Sequence, residues 1–346
     1  MINDRRRADG PKLRRLAVAA GLLACVACSA QQGATPVASP PPSPAAIEAS
    51  EATSPGSPTP DSTTSTSTAA PQPSAPQKKA GAELPRGGRD IFPRYRLVGY
   101  AGLTGASTLG RLGTGPLESR VEELQRRAKP YANGREILPV LEVITTVVQT
   151  SPGRDGKYRF RISDEQIETY YKAARKHKAL LLLNIQPGQS EFLPETKAFE
   201  KWLKRPDVGV ALDPEWAMDP GQRPGGLYGH TTGKELNGVA KYLAGLVEKY
   251  DLPEKVMVYH QVAAIVVRKE SGLKQHDGVV LIKSVDGLGP PGPKKSTYRV
   301  VNKTTPEFVH VGFKLFFTED RANGGRLMTP KEVLALKPRP EYVMYE

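Results

Sequence analysis

A chain of 346 residues with 49 Lys and Arg against 36 Asp and Glu carries a formal charge of +13 and only two cysteines. Both, Cys25 and Cys28, lie near the N-terminus, so nothing beyond them can form a disulfide, a thiolate metal site or a cysteine nucleophile. The basic residues fall largely in helix-like stretches such as 172–178 and do not interleave with aromatics, which argues against a nucleic-acid partner and leaves anionic polymers as the kind of surface favoured.

Residues 1–28 place Arg5, Arg6, Arg7, Lys12, Arg14 and Arg15 ahead of an apolar run too short for a comfortable membrane span. This is the layout of an export signal peptide, excluded from fold reasoning. Its removal takes away six basic and two acidic residues and lowers the charge from +13 to +9. Residues 29–88 are dominated by Ala, Pro, Ser and Thr, and cannot bury enough apolar surface to offset their ordering entropy. They are expected to form a disordered, semi-extended tether of roughly 60 residues.

Residues 89–346 contain eight β-rich runs, at 95–100, 137–143, 179–184, 208–212, 255–260, 279–283, 308–313 and 342–345. Helical patterns fall between most of them, at 117–129, 163–177, 196–203, 233–250 and 329–336. Ser163-Asp-Glu-Gln166 reads as a capping box, and Thr329-Pro330 as an N-cap followed by a first-turn proline. Near-continuous apolar strands alternating with helices imply a parallel sheet covered on both faces. The length and strand number point to a single (β/α)8 TIM-like barrel, behind the signal peptide and tether. An open doubly wound sheet is the weaker alternative, because no Gly-rich phosphate loop follows the first strand.

In a barrel, function gathers at the C-terminal strand ends, where this sequence places Tyr100, Glu142, Asn184, Gln186, Asp213, Glu215, His260, Gln261, Asp286 and Lys314. The densest of these ends is Val208-Gly-Val-Ala-Leu-Asp-Pro-Glu-Trp216. Alternation puts Asp213 and Glu215 on one side, and Pro214 should stop regular pairing there, leaving Glu215 and Trp216 at a rim. Glu215, Asp213 and Glu142 are the candidate catalytic carboxylates, and Tyr100, Trp216 and Tyr228 could stack on sugar rings. The histidines His260, His276 and His310 lack metal-ligand spacing, so no metal or other cofactor is expected. A carboxylate-bound magnesium or calcium on Glu142, Asp213 and Glu215 is the alternative. No Gly-x-Ser-x-Gly elbow is present.

Gly209-Val-Ala-Leu-Asp-Pro-Glu-Trp216 resembles the fourth-strand signature of the family 18 (chitinase-like) glycoside hydrolases, and 97–100 and 180–190 are similar to that family's first and third strands. The resemblance implies Glu215 as general acid and Asp213 as the group that orients a substrate acetamido in a substrate-assisted mechanism. The sequence departs from the signature at Ala211, which stands where the family has its first aspartate, at Gln186-Pro187-Gly188, and in lacking a later Met-x-Tyr-Asp. The stretch around Cys25 and Cys28 resembles a bacterial lipobox, with either cysteine eligible for lipidation. The whole chain resembles a widespread group of actinobacterial exported lipoproteins with a barrel domain. These readings imply a monomeric lipoprotein on the outer face of the cell membrane, acting on an envelope glycan as a glycoside hydrolase-like enzyme. The alternatives are a noncatalytic barrel that binds glycan or peptide, or a metal-dependent phosphodiesterase.

Overall fold

The computed structural model describes residues 81–346, so the signal peptide, most of the tether and both candidate lipidation sites, Cys25 and Cys28, lie outside the described residues. Eight parallel strands close into a barrel: β1 Tyr95–Gly102, β2 Glu136–Val148, β3 Leu180–Ile185, β4 Val208–Leu212, β5 Lys255–Gln261, β6 Val279–Val285, β7 His310–Leu315 and β8 Tyr342–Tyr345. Each pairs with the next, and β1 pairs with both β2 and β8, which closes the ring. The eight expected strands are all present, within a few residues of their expected limits.

Helices α1 Leu117–Ala128, α2 Asp164–Lys176, α3 Phe192–Ala198, α4 Glu200–Leu203, α5 Gly233–Tyr250, α6 Pro291–Val301 and α7 Pro330–Leu334 fill most crossovers. Both predicted start signals are made. The Ser163 and Thr329 side chains each accept from the third residue's backbone N–H, and the Gln166 and Glu332 side chains return the bond. One expectation needs correction. The helix expected at 196–203 is two, because the chain leaves helical geometry at Phe199 and the first piece begins earlier, at Phe192. The Pro- and Gly-rich stretch 286–293 leads into α6, whose prolines lie in the first turn, where a missing N–H costs nothing. Between β5 and β6 there is no α-helix, only short 3-10 turns and a two-residue strand, Val267–Arg268, paired with Thr231–Thr232. Among the described residues no helix is long and apolar enough to cross a membrane.

Alternation along the strands divides the core in two. Leu97, Leu138, Val140, Leu182, Ala211, Val256, Ile282 and Met344 fill the barrel, while Val98, Leu141, Leu183, Val210, Met257 and Phe313 pack outward with the helices. Leu84, Ile91 and Tyr95 belong to the inner cluster, so packing begins inside the segment whose composition reads as tether. The barrel admits this packing because inward positions 99, 209 and 312 are glycines. A Cβ at Gly209 would lie 2.4 Å from the Val256 carbonyl oxygen, and one at Gly312 2.7 Å from the Tyr342 ring.

Candidate active site at the barrel mouth

The inward parity that packs the barrel's lower layers brings polar residues together at its C-terminal end. Above Leu138 and Val140 stands Glu142, above Leu180 and Leu182 Asn184 and Gln186, above Ala211 Asp213, above Val258 His260, and above Ile282 Ser284 and Asp286. Strands β7 and β8 add Lys314 and Tyr342. Most are fully enclosed: Glu142 and His260 are 0% exposed, Asp286 2%, and Asp213 and Lys314 4%.

These groups form one connected network. His260 Nδ1 lies 2.8 Å from Asp286 Oδ2, and its Nε2 lies 3.0 Å from Glu142 Oε1, close but not aligned as a hydrogen bond. Tyr342 donates its hydroxyl to Glu142. The Asn184 Nδ2 donates to Glu142 Oε1 and to Asp213 Oδ1, each at 3.0 Å. Two carboxylates facing this amide fix its orientation, since the flipped form would set its oxygen against both. The Gln186 Nε2 donates to Asp213 Oδ2 at 3.2 Å, while its oxygen accepts from the Val148 N–H. The extended β2 strand thus holds the amide in place. Asp286 also receives Ser284 Oγ at 2.7 Å and Lys314 Nζ at 3.2 Å, and Lys314 pairs further with Glu346.

Charge sorts the carboxylates into two groups. Burial would raise the pKa of Glu142, but His260 and Lys314 outweigh it and hold the carboxyl below its usual range. Asp286 is held low against burial by the same two cations. Reciprocally, burial opposes the charges of His260 and Lys314, yet Asp286 leads the carboxylates that push both pKa values well up. Asp213 is moved up, by burial and by Glu142. For Glu215, burial and then the charges of Asp213 and Asp286 raise the pKa to about 8. Its residue is only half-buried, although Oε2 is shielded from solvent and has no hydrogen-bond partner among the described residues.

Glu215 occupies this position because β4 ends at Leu212 and Pro214–Trp216 turn as a single 3-10 unit. Pro214 cannot donate to the ladder, and the turn lifts Glu215 to the rim with Trp216 half-buried beside it. The loop returning at Gly229 donates its N–H to the Glu215 carbonyl at 2.7 Å. Tyr228, 50% exposed, precedes it, and its hydroxyl pKa is raised by burial and by the Glu215 charge.

Of the residues read from the sequence, Glu142, Asn184, Gln186, Asp213, Glu215, His260, Asp286 and Lys314 meet at the mouth, with Trp216 at its rim. Two do not. Tyr100 has outward parity, since Leu97 and Ala101 face in. Its hydroxyl donates to Glu123 and accepts from Arg127 of α1, and its ring packs edge-on against Phe317 and Tyr345. Gln261 lies one position past His260 and so faces the other side, its amide 3.4 Å from the Ala264 carbonyl. Ser284, Tyr342 and Glu346 were missed, although the alternation Ser284-Val-Asp286 and Tyr342-Val-Met-Tyr-Glu346 carries the signal. Among the described residues no group of three or more His, Cys, Asp or Glu is arranged to hold a metal ion. In this cluster the imidazolium and the lysine ammonium already sit against Glu142 and Asp286.

The Glu215 shift has a sign that can be tested. A carboxyl whose folded pKa of about 8 exceeds its ordinary 4.5 binds its proton more tightly when folded. Its stabilisation is therefore full below pH 4.5 and is lost as pH rises through 8. Melting temperatures measured across that window should fall for the native chain and fall less for Glu215→Gln; parallel curves would contradict the shift.

No protein-family model matches the chain, and no curated protein matches it. Among solved structures, a GH18 chitinase from Pseudoalteromonas aurantia aligns over 72% of this chain and 93% of its own, at 13% identity and a TM-score of 0.31. A likeness at that score says nothing about chemistry, and the barrel assignment rests on the strand pairing itself.

Proposed function

We propose that the barrel mouth is a glycoside hydrolase-like acid site acting on an envelope glycan, with Glu215 as general acid. The observation that carries this reading is a rim carboxyl whose pKa is raised to about 8, beside the deeper carboxylates Glu142 and Asp286, which His260 and Lys314 hold low. Glu215 would donate its proton to the departing glycosidic oxygen as the C–O bond breaks, Asp213 would face the positive charge developing on the sugar ring, and a water adding to that carbon would return a proton to Glu215. The His260 charge partly compensates the anion that Glu215 becomes. The likeness of 209–216 to the chitinase-type signature supports the same reading. The test is release of reducing ends from acetamido-sugar polymers and peptidoglycan, with Glu215→Gln as control; equal release by both would remove Glu215 from the chemistry.

A second reading, a noncatalytic glycan-binding barrel, is favoured by Ala211, which lies beneath Asp213 as an apolar core residue. Binding of the same polymers without turnover, unchanged in Glu215→Gln, would select it. The signal-like N-terminus and the Ala/Pro/Ser/Thr segment support a lipid-anchored location, through Cys25 or Cys28. Replacing both cysteines with serine should move the protein from the membrane fraction to the soluble one, and unchanged fractionation would refute the anchor.

A further inference from the structure

On the outer wall of the barrel, lined by none of the mouth residues, α5 and the segment 269–276 enclose a groove of about 790 Å³. One bank carries Lys234 and Lys241 on α5, seven residues and so ~10 Å apart along one helix side. The other carries Lys269 and Lys274, and all four are exposed. The acids next to them in sequence are turned away. Glu235 accepts from the Thr231 hydroxyl and the Phe192 N–H, and Glu270 is buried against Lys283. Among the described residues Asp277 is the acid acting on His276 at the groove's end, and Lys241 and Lys274 outweigh it there, since after burial they are the charges that lower the His276 pKa.

The banks are fastened together. Asn237 donates to the Gly272 carbonyl at 2.7 Å and accepts from the Lys274 N–H at 2.8 Å, which fixes the lysine rows in register. Between Lys234 and Lys241 the floor is Gly238, in the interior of an 18-residue helix where glycine is a poor choice. Packing does not require it, because a Cβ there would meet nothing nearer than a Leu193 methyl at 3.9 Å. Its effect is to leave the floor between the two rows free of a side chain. Opposite, Gly272 has nothing within 4 Å of a Cβ.

We propose that this groove is a docking surface for a linear phosphate-bearing polymer, with Lys234, Lys241, Lys269 and Lys274 as two rails of point charges and Gly238 as the open floor. Lysines spaced along two banks suit a chain of successive phosphates better than a single small anion, which could engage only part of the set. Binding should release condensed counterions and therefore weaken steeply with salt.

The experiment is titration of the full chain with long-chain inorganic polyphosphate, with orthophosphate and anionic phospholipid vesicles as comparison probes. Polyphosphate should bind far more tightly than orthophosphate, and Lys234→Gln with Lys269→Gln should weaken it about tenfold while reducing the salt slope by about two charges. A second variant, Gly238→Gln, keeps every charge, should fold with an unchanged or raised melting temperature, and should still weaken binding by filling the floor. Polyphosphate binding unaffected by both variants, or binding of vesicles but not of polyphosphate, would overturn the proposal. Neither result depends on turnover at the barrel mouth.

Discussion

Glu142→Leu is expected to lower the melting temperature by about 10 °C, the largest loss of stability that one change at the mouth should bring. The leucine fills a similar volume, so the loss is electrostatic. His260 would keep Asp286 on one side but face an apolar group on the other, the Tyr342 hydroxyl would lose its acceptor, and Asn184 would lose one of its two. Removing one partner of a buried ion pair costs about 3–5 kcal/mol, because the remaining charge cannot be solvated. Glu142→Gln retains an acceptor for Tyr342 and should lose less. Calorimetry of the two variants measures both, and a Glu142→Leu transition within about 2 °C of the native chain would mean that the imidazole is not charged when folded.

Glu215→Gln should reduce turnover of a susceptible glycan by about 10²–10⁴-fold while raising, not lowering, stability at neutral pH, because the amide has no proton for the unfolded chain to release. The asymmetry follows from protonation. With a pKa of about 8 the native carboxyl is neutral at pH 7, so the amide reproduces its shape and charge and removes only the transferable proton. Any activity of the native chain should fall as pH rises through about 8, and whatever activity the variant retains should lack that alkaline limb. Initial rates over pH 5–9, with substrate near saturation, separate this from a binding defect. A variant that kept the alkaline limb would assign it to a different group.

The strands were legible because the interior of a parallel barrel demands uninterrupted apolar runs, and eight of them stand clear of their surroundings. The crossovers were less so. Prolines that break a helix in its middle are tolerated at its start, so 290–293 reads equally as a loop or as the first turn of α6. At the mouth, residue type selected Asp213, Glu215 and His260, but their partnerships depend on register between strands, which no single strand encodes. His260 meets Asp286 because β5 and β6 pair Gln261 with Val285. Tyr100 and Gln261 failed for a simpler reason: each is one residue out of phase with the inward face, a distinction that parity along Leu97-Gly-Ala101 and Val258-His260 already contains. Tyr342, Glu142's partner, is 200 residues away in the chain, so alternation can place it on the inward face but not beside Glu142.

That span bears on how the protein reaches its native state. The last strand supplies Tyr342 and is the one that joins β7 to β1, so a barrel with seven strands seated would expose an edge on each side and leave the Glu142 network incomplete. Such an intermediate gains little from partial closure, which favours ring completion as a single late event. Contacts this remote in sequence also make the search slow. A chain of this topology is therefore exposed to aggregation through most of its folding, until the final strand seals both edges at once.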